Sequence, residues 1–478
     1  MNLAALFPGH KISADHEVSG LSADSRKIKP GFVFAALKGV TADGRDFIPQ
    51  ALENGAVAVI GKDLPDTGAA AAIEVEEPRL ALAVASAAFY ARQPEHVVAV
   101  TGTNGKSSTV DFLRQIWEAA GVKAASMGTL GAIGPSGHID LGHTTPDPVA
   151  IHETLAKLAD QGVTHCAMEA SSHGLAQYRL DAVKLAACAF TNLTQDHLDY
   201  HADMDEYRAA KMRLFSELMP AGAPAVVNAD SQEREAFEVA AKSAGLKPVS
   251  VGWRGEDLKI DELMPRATGQ KLFLKWRGEP VEVELPLIGE FQALNALTAA
   301  GLALSLGAPL ESVRAGMEAL KPVKGRLEFV GETKEGAGVF VDYAHTPDGL
   351  DVLIRAARPH TAGRLVVIFG CGGDRDRKKR PLMGEVAAKQ ADTVIVTDDN
   401  PRSEAPDTIR KAILEAVPGG IEIADRGEAI RKAVGGLKAG DTLLIAGKGH
   451  ETGQIVGSTV IPFSDQDTAA EALAEVSA

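Results

Sequence analysis

Val97-Val-Ala-Val-Thr-Gly-Thr-Asn-Gly-Lys-Ser-Ser-Thr-Val110 constrains this chain more than any other stretch. Four apolar residues read as a short buried strand. Gly102 and Gly105 permit a tight turn with positive φ, and Lys106-Ser107-Ser108 open a helix predicted to continue through Trp117. Strand, glycine turn and helix start, in that order, make a phosphate-binding loop. Backbone N–H groups freed from Gly102 through Thr103, Asn104 and Gly105 point at one locus, together with the positive end of the helix dipole. Lys106 adds a point charge for terminal phosphate oxygens, and a hydroxyl at Ser107 or Ser108 can ligate Mg²⁺. The general motif has a glycine where this chain has Val100, so the match is to a shorter Gly-Thr-Asn-Gly-Lys-Ser variant.

A chain of 478 residues exceeds what one core usually holds, and two to four domains are expected. Hydrophobic residues make up 45 % and aromatics only 5 %, which suits α/β layers whose helices lie close on sheets. A net charge of −15 argues against a nucleic-acid surface, so any anion site must be local. Cys166, Cys188 and Cys371 are isolated thiols without zinc or disulfide spacing and read as small buried hydrophobes in a reducing compartment. The N-terminus lacks the pattern of a signal peptide, and the longest apolar run, near Leu80 to Ala91, is shorter than the ~18 residues of a membrane span. The expectation is a soluble cytoplasmic protein.

The order of elements predicts an α/β protein of three domains: a small N-terminal α/β module, a central phosphate-loop domain with a parallel sheet, and a C-terminal Rossmann-like domain. Gln93-Pro94-Glu95 marks the first joint and Pro322 to Lys324 the second, giving 1–94, 95–323 and 324–478. In the first module Asp24-Ser25-Arg26 precedes what reads as the first clear strand, and Gly39 to Arg45 is a polar loop. Both look like surface turns. In the central domain three strands end in polar loops: Thr101 enters the phosphate loop, Thr164 to Glu169 leads to Ser171-Ser-His-Gly, and Ala186 to Thr191 leads to Asn192 through His201. Ligands collect beyond the carboxyl ends of parallel strands, so these loops should converge. Glu169 and His197 then become candidate ligands for Mg²⁺ or Mn²⁺, although each alone is ambiguous. On spacing alone Lys211, on a helix predicted from Met204 to Leu218, reads as a solvated lysine.

Four C-terminal strands also end in charged loops: Asp342 to His345, Gly370 to Arg377, Asp398 to Arg402 and Gly447 to Glu451. Solubility alone does not require repeated Gly, Asp and Arg at strand exits. Gly370 to Arg375 departs from a dinucleotide fingerprint, because its final glycine is replaced by Arg375.

Along nearly its whole length the chain resembles the Mur ligases of peptidoglycan synthesis. The resemblance rests on Thr101-Gly-Thr-Asn-Gly-Lys-Ser-Ser, Met168-Glu-Ala-Ser-Ser-His-Gly-Leu, Asn192-Leu-Thr-Gln-Asp-His-Leu-Asp-Tyr-His, Asp342-Tyr-Ala-His-Thr-Pro-Asp, Asp399-Asn-Pro-Arg and Gly447-Lys-Gly-His-Glu, in family order. It implies ATP at Gly102 to Ser108, with Asn295, Arg326, Asp342 and His345 completing the nucleotide site. It implies Mg²⁺ near Ser107, Glu169 and His197, with Lys211 carbamylated as a further ligand, and catalytic roles for Lys106, Glu169, His197 and Lys211. The sugar-peptide substrate UDP-N-acetylmuramoyl-L-Ala-D-Glu would contact Ser25, Thr41, Ala42, Thr144, Thr145, Ser171, Gln177 and Arg179. Two positions depart from the usual pattern, His143 and Gln292.

The remaining substrate implied is meso-diaminopimelate, at Arg375, Asp399, Asn400, Pro401, Arg402, Gly447 and Glu451. An arginine fork reads the distal carboxylate of the diacid and repels the bare ammonium of lysine. The implied chemistry is ATP-dependent amide formation through an acyl phosphate, by a monomer with no nucleic-acid or membrane partner. A lysine-adding relative and a folylpolyglutamate synthetase-like ligase are the enzyme alternatives. A nucleotide-gated binding protein without catalysis would be tenable only if Lys106, Glu169 or Lys211 were missing.

Overall fold

A computed structural model describes residues 1–10, 12, 15–39, 42–194 and 200–477. Contacts divide the chain into two compact units, Met1–Leu258 with Leu297–Gly316, and Lys259–Ala296 with Met317–Ala478.

The first unit holds two sheets. A small parallel one has the order β1 (Gly20–Ser22), β2 (Phe32–Ala35), β3 (Ala58–Gly61) and β4 (Ala71–Glu74). Asp24-Ser25-Arg26 precedes β2, the first strand clear from sequence, and follows β1, which the sequence did not mark. A strand of three residues carries too little alternation to be read from sequence. Its helix Pro78–Tyr90 starts on a proline, ends at Ala91 in the left-handed region and holds the apolar run near Leu80 to Ala91.

The larger sheet of this unit contains β5 (His96–Thr101), β6 (Ala124–Gly128), β7 (Gly131–Gly134), β8 (Gly137–Ile139), β9 (His165–Glu169), β10 (Leu185–Phe190), β11 (Pro224–Asn228) and β12 (Lys247–Gly252). Within the unit their order is β12-β11-β10-β5-β9-β6-β7-β8. β12 through β6 run parallel, and β7 and β8 turn back as antiparallel ribbons. β5 is apolar from Val97 to Val100 and buried on both faces there, as a central parallel strand must be. The register pairs Val100 with Glu169 and Thr101 with Phe190, so three strand exits end at one level. Cys166 and Cys188 are buried in this core, as free thiols.

The second unit contains the antiparallel hairpin of β14 (Gln270–Trp276) and β15 (Glu279–Leu285), preceded by β13 (Leu258–Pro265). Its main sheet is built from β16 (Glu328–Glu332), β17 (Gly338–Asp342), β18 (Leu365–Phe369), β19 (Thr393–Val396), β20 (Ile421–Glu422) and β21 (Thr442–Ala446). Their order is β16-β17-β21-β18-β19-β20, parallel except for the edge strand β16. Two apolar clusters cover the two faces of this sheet, the doubly wound arrangement expected from the run of buried strands. Asp342 pairs with Ala446, and Phe369 with Val396, which brings all four charged strand exits to one edge. A short ribbon of β22 (Gly453–Val456) and β23 (Thr459–Pro462) follows that edge. Among the described residues no helix is long and apolar enough to cross a membrane.

Candidate active site

Gly102, with φ of 151°, and Gly105, with φ of 85°, make the turn between β5 and the helix Lys106–Ala119. A Cβ on Gly102 would lie 1.9 Å from Thr191 Oγ1, so no larger residue fits. The segment leaving β10 clamps the loop. Thr103 N donates to the Asn192 carbonyl at 2.8 Å, Asn104 N to Asn192 Oδ1 at 2.9 Å, and Thr191 Oγ1 to the Asn104 carbonyl at 2.6 Å. The helix has no side-chain cap, which leaves its first N–H groups for an anion. Lys106 Nζ donates to the carbonyls of Gly102 at 2.9 Å and Thr103 at 2.8 Å.

Ser107 Oγ donates to Glu169 Oε1 at 2.8 Å, and the Thr129 amide donates to the same oxygen at 2.8 Å. Glu169 is 2 % exposed at the end of β9. A small cavity of about 10 Å³ adjoins this pair, lined in part by Ser107, Asp111, Ser126, Gly128 and Glu169. A hydroxyl and a carboxylate so close offer two hard oxygen donors suited to Mg²⁺. Among the described residues no group of three or more His, Cys, Asp and Glu is placed to hold a metal ion, and His197 lies outside them.

Lys211 is 1 % exposed, not solvated as spacing alone implied. Its Nζ donates to the Gly102 carbonyl at 2.8 Å and stands 4.4 Å from the Tyr207 ring centroid. The predicted helix Met204 to Leu218 divides into an α-helix over Met204–Arg213 and a π-helical turn over Leu214–Leu218. Thus Lys106, Ser107, Glu169 and Lys211 converge on the phosphate loop.

Gly128 faces Glu169 without room to spare. A Cβ there would lie 2.1 Å from Glu169 Oε1, so Gly128→Ala must displace the carboxylate. Overpacking of that kind costs about 1–3 kcal/mol, and we expect turnover to fall about tenfold, checked by initial rates beside a thermal melt.

The remaining residues expected in this unit form two groups. Thr145 Oγ1 donates to the Glu169 carbonyl at 2.9 Å and accepts from Ser171 N at 3.1 Å, while Arg179 Nη1 donates to the Thr145 carbonyl at 2.5 Å. Arg179 also binds Gln177 Oε1 at 2.7 Å, and Thr144 shares a hydroxyl contact of 3.0 Å with Thr129. These five side chains are therefore neighbours of the Glu169 strand exit. Ser25 lies in the small sheet's layer, buried, with its Oγ 2.6 Å from Gln50 Oε1. Ala42 is exposed, and Thr41 is outside the described residues.

In the second unit, Asp342 ends β17 and accepts from the amides of Leu327 at 2.6 Å and Ala344 at 2.7 Å. Burial pushes its carboxyl above the usual range, with Arg326 opposing. Arg326 lies over the Tyr343 ring at 4.8 Å, and His345 Nδ1 donates to the Tyr343 carbonyl at 2.8 Å. Burial is the main cause lowering the His345 pKa, which favours the neutral imidazole. Gln292, one of the two departures, has a role of its own: Oε1 accepts from Asn295 at 3.1 Å, and Nε2 donates to the Arg326 carbonyl at 2.9 Å. His143 is exposed.

The acceptor residues expected from sequence gather at the shared strand edge. Arg402 has φ of 53°, and its Nη1 donates to the Gly373 carbonyl at 2.9 Å. Arg375 is exposed on the neighbouring loop. Asn400 Nδ2 donates to Glu451 Oε2 at 3.0 Å, and a Cβ on Gly447 would lie 2.8 Å from Asp399 Oδ2. Pro401 is buried.

Sequence reasoning missed the centre of this cluster. Lys448 is fully buried, with Nζ 3.1 Å from Asn400 Oδ1, 3.2 Å from Glu451 Oε2 and 3.7 Å from Asp399 Oδ1. One ammonium between two carboxylates leaves a net negative site, suited to the ammonium of an amino acid. Arg380 and Glu404 were missed as well. Both lie just beyond the charged strand exits Gly370 to Arg377 and Asp398 to Arg402.

Family models match three successive stretches: the Mur ligase family catalytic domain over residues 17–118, the Mur ligase middle domain over 100–303, and the Mur ligase glutamate ligase domain over 325–449. UDP-N-acetylmuramoyl-L-alanyl-D-glutamate--2,6-diaminopimelate ligase of Mesorhizobium japonicum is 53 % identical, covering 99 % of both chains. A solved structure under the same enzyme name is 32 % identical, covers 99 % of both chains and has a TM-score of 0.76. Folylpolyglutamate synthase of Mycobacterium tuberculosis has a TM-score of 0.61 at 19 % identity, covering 77 % of this chain and 92 % of its own. At that identity the last likeness concerns the fold alone.

Proposed function

The chain belongs to the Mur ligase family, and from that membership we propose that it joins meso-2,6-diaminopimelate to UDP-N-acetylmuramoyl-L-alanyl-D-glutamate at the expense of ATP, in peptidoglycan precursor synthesis. The observation that carries this reading is the phosphate loop with Ser107 held 2.8 Å from the strand-end carboxylate Glu169, in a chain matched end to end by diaminopimelate ligases. The domain limits 1–94, 95–323 and 324–478, a monomeric state and a cytoplasmic location belong to the same proposal.

A carboxylate is a poor acyl donor and must first be activated. The side-chain carboxylate of the D-Glu residue attacks the γ-phosphorus of ATP, the bond to the bridging oxygen breaks, and ADP leaves an acyl phosphate behind. The neutral amine of diaminopimelate then attacks the acyl carbon. Phosphate departs, the amine proton is lost to solvent, and an amide remains. The phosphate-loop amides and Lys106 hold the transferred group and offset its growing charge. Ser107 and Glu169 would hold Mg²⁺, which supplies further neutralisation of the phosphate oxygens when bound.

Lys211 is proposed to act as a carbamate, its amine adding CO₂ with loss of a proton. That change replaces a cation by an anion with two hard oxygens, and its burial beside the loop supports the role. Asn295, Arg326, Asp342 and His345 are assigned to the nucleotide. Ser25, Thr41, Ala42, Thr144, Thr145, Ser171, Gln177 and Arg179 are assigned to the sugar peptide, and His197 to the metal. Arg375, Asp399 to Arg402, Gly447 and Glu451 are assigned to diaminopimelate.

The deciding experiment is phosphate release from ATP in the presence of the UDP-sugar dipeptide, comparing meso-diaminopimelate with L-lysine. Release with diaminopimelate alone is expected. Release with lysine would move the chain to a lysine-adding branch, and none with either would remove the ligase assignment.

A further inference from the structure

The two loops that carry Arg375 and Arg402 leave adjacent parallel strands, and one carboxylate ties them together. Glu404 Oε1 accepts from the Asp374 amide at 2.7 Å and from Arg380 Nη2 at 2.9 Å. Its Oε2 accepts from Arg380 Nη1 at 3.1 Å and stands 3.2 Å from Arg377 Nη2. The Arg380 side chain is 4 % exposed and that of Glu404 10 %, so this is a forked pair shielded from water rather than a loose surface contact. The hydrogen bonds from Arg380 are the largest cause holding the Glu404 carboxyl down at about 2, which keeps it ionised throughout any practical assay.

The tie continues into both loops. Ser403 Oγ and N donate to the Asp374 carboxylate at 2.7 and 3.1 Å, Gly373 N donates to the Asn400 carbonyl at 2.9 Å, and Arg402 Nη1 donates to the Gly373 carbonyl at 2.9 Å. Asp374 and Arg402 each occupy the left-handed region at φ of 53°, a backbone state that costs about 1–2 kcal/mol for a residue with a Cβ. Two strained residues facing each other across one seam need a partner that over-determines their geometry. A Cβ on Gly372 would lie 2.7 Å from Arg402 Nη1, so even the approach of the guanidinium to the neighbouring loop is fitted.

We propose that Glu404, held by Arg380, is a positioning residue that sets the spacing of Arg402 and Arg375 and thereby the affinity for the diacid amino acid. The proposal rests on the assignment of diaminopimelate to these loops. Glu404 need not touch substrate; it acts through the loop backbone. Without it, Asp374 N loses its acceptor, Arg380 is left charged and buried, and Arg402 loses the loop against which its guanidinium is set.

The test is steady-state kinetics of the full-length Glu404→Gln variant with ATP, the UDP-sugar dipeptide and meso-diaminopimelate varied in turn. A lost charge-assisted contact predicts a rise of about tenfold in KM for diaminopimelate, with the other two KM values held within about twofold. A folded variant with unaltered KM for diaminopimelate, or with all three raised alike, overturns the proposal. If Glu404→Gln does not fold, Ser403→Ala removes only an exposed hydroxyl from the same seam. A rise of about threefold confined to the diaminopimelate KM supports the proposal, and no rise overturns it. Wild-type enzyme in the same assay separates the two claims. No diaminopimelate-dependent phosphate from wild type overturns the acceptor assignment and this proposal with it, whereas wild-type turnover beside an unaltered variant overturns this proposal alone.

Discussion

Replacing Lys106 by methionine is expected to lower kcat about 10³-fold, close to 4 kcal/mol of transition-state stabilisation, while leaving the thermal midpoint within about 2 °C. The two halves of that expectation have separate physical grounds. Methionine keeps most of the apolar stem and removes the charge. The loop does not depend on that charge for its shape, because Thr103 N, Asn104 N and the Asn104 carbonyl are each bonded to the Thr191-Asn192 segment at 2.6 to 2.9 Å. The ammonium donates to the Gly102 and Thr103 carbonyls at 2.9 and 2.8 Å, which places it within the loop that cradles phosphate. A phosphoryl group in transfer spreads charge over its oxygens, and a fixed cation in a water-poor site is worth more there than in the ground state. Phosphate release and a melting curve on one preparation check both halves. An intact kcat would remove Lys106 from the reaction, and a collapsed melting curve would make it a structural latch.

How far the site could be read from sequence depends on whether each residue's role is local. The phosphate loop was legible because strand, glycines, lysine and hydroxyls lie within fourteen consecutive residues from Val97 to Val110. Glu169 was legible in part, since a carboxylate at the end of a buried strand has a predictable place in a parallel sheet, though not a predictable partner. Lys211 was not legible from spacing. Its helix, Met-Asp-Glu-Tyr-Arg-Ala-Ala-Lys-Met-Arg, has no clear apolar stripe that would mark Lys211 as buried, and the carbonyl it donates to lies 109 residues away. Family resemblance, not pattern, singled it out.

The same reasoning explains Lys448, Arg380 and Glu404. Lys448 sits in a stretch recognised as a charged strand exit, and Arg380 and Glu404 lie just beyond two others, but each partner lies elsewhere in the chain: Asn400 is 48 residues from Lys448, and Glu404 is 24 from Arg380. Only the parallel register brings those exits together. Arg426 and Asp465 are an extreme case. Both are fully buried and paired at 2.7 Å across 39 residues, and Arg426 Nη2 also donates to the Ala446 carbonyl just before Gly447 at 3.0 Å. Nothing in either local sequence marks them as buried. In the fold, what escaped was short and lacked alternation: β1, the β7–β8 ribbon and the β22–β23 ribbon. The apolar strands β5, β9, β10, β11, β17, β18, β19 and β21 were recovered, whereas β6, β12, β16 and β20 of the same sheets were not.

Arg402→Asn is expected to lower kcat/KM for meso-diaminopimelate about 10³-fold and to raise that for L-lysine about tenfold, so that most of the preference disappears. Asparagine is chosen because it tolerates the left-handed backbone at φ of 53°, which is pinned by Arg402 N to the Ile455 carbonyl at 3.0 Å and by Gly457 N to the Arg402 carbonyl at 2.8 Å. The backbone can thus stay in place while the fork is removed. One guanidinium nitrogen is committed to the Gly373 carbonyl at 2.9 Å, and the planar group is thereby oriented. Its other donors can meet a carboxylate in parallel, which a lysine ammonium cannot imitate. The ammonium of L-lysine meets repulsion there instead, and losing the positive charge relieves it. Arg402→Lys separates the two effects: it keeps the repulsion and loses the fork, so diaminopimelate should weaken about 10²-fold with no gain for lysine. Paired kcat/KM values for both amino acids decide the matter. Retention of the diacid preference in Arg402→Asn would shift recognition of the distal carboxylate to Arg375, and a lysine gain in Arg402→Lys would show that charge repulsion is not what excludes lysine.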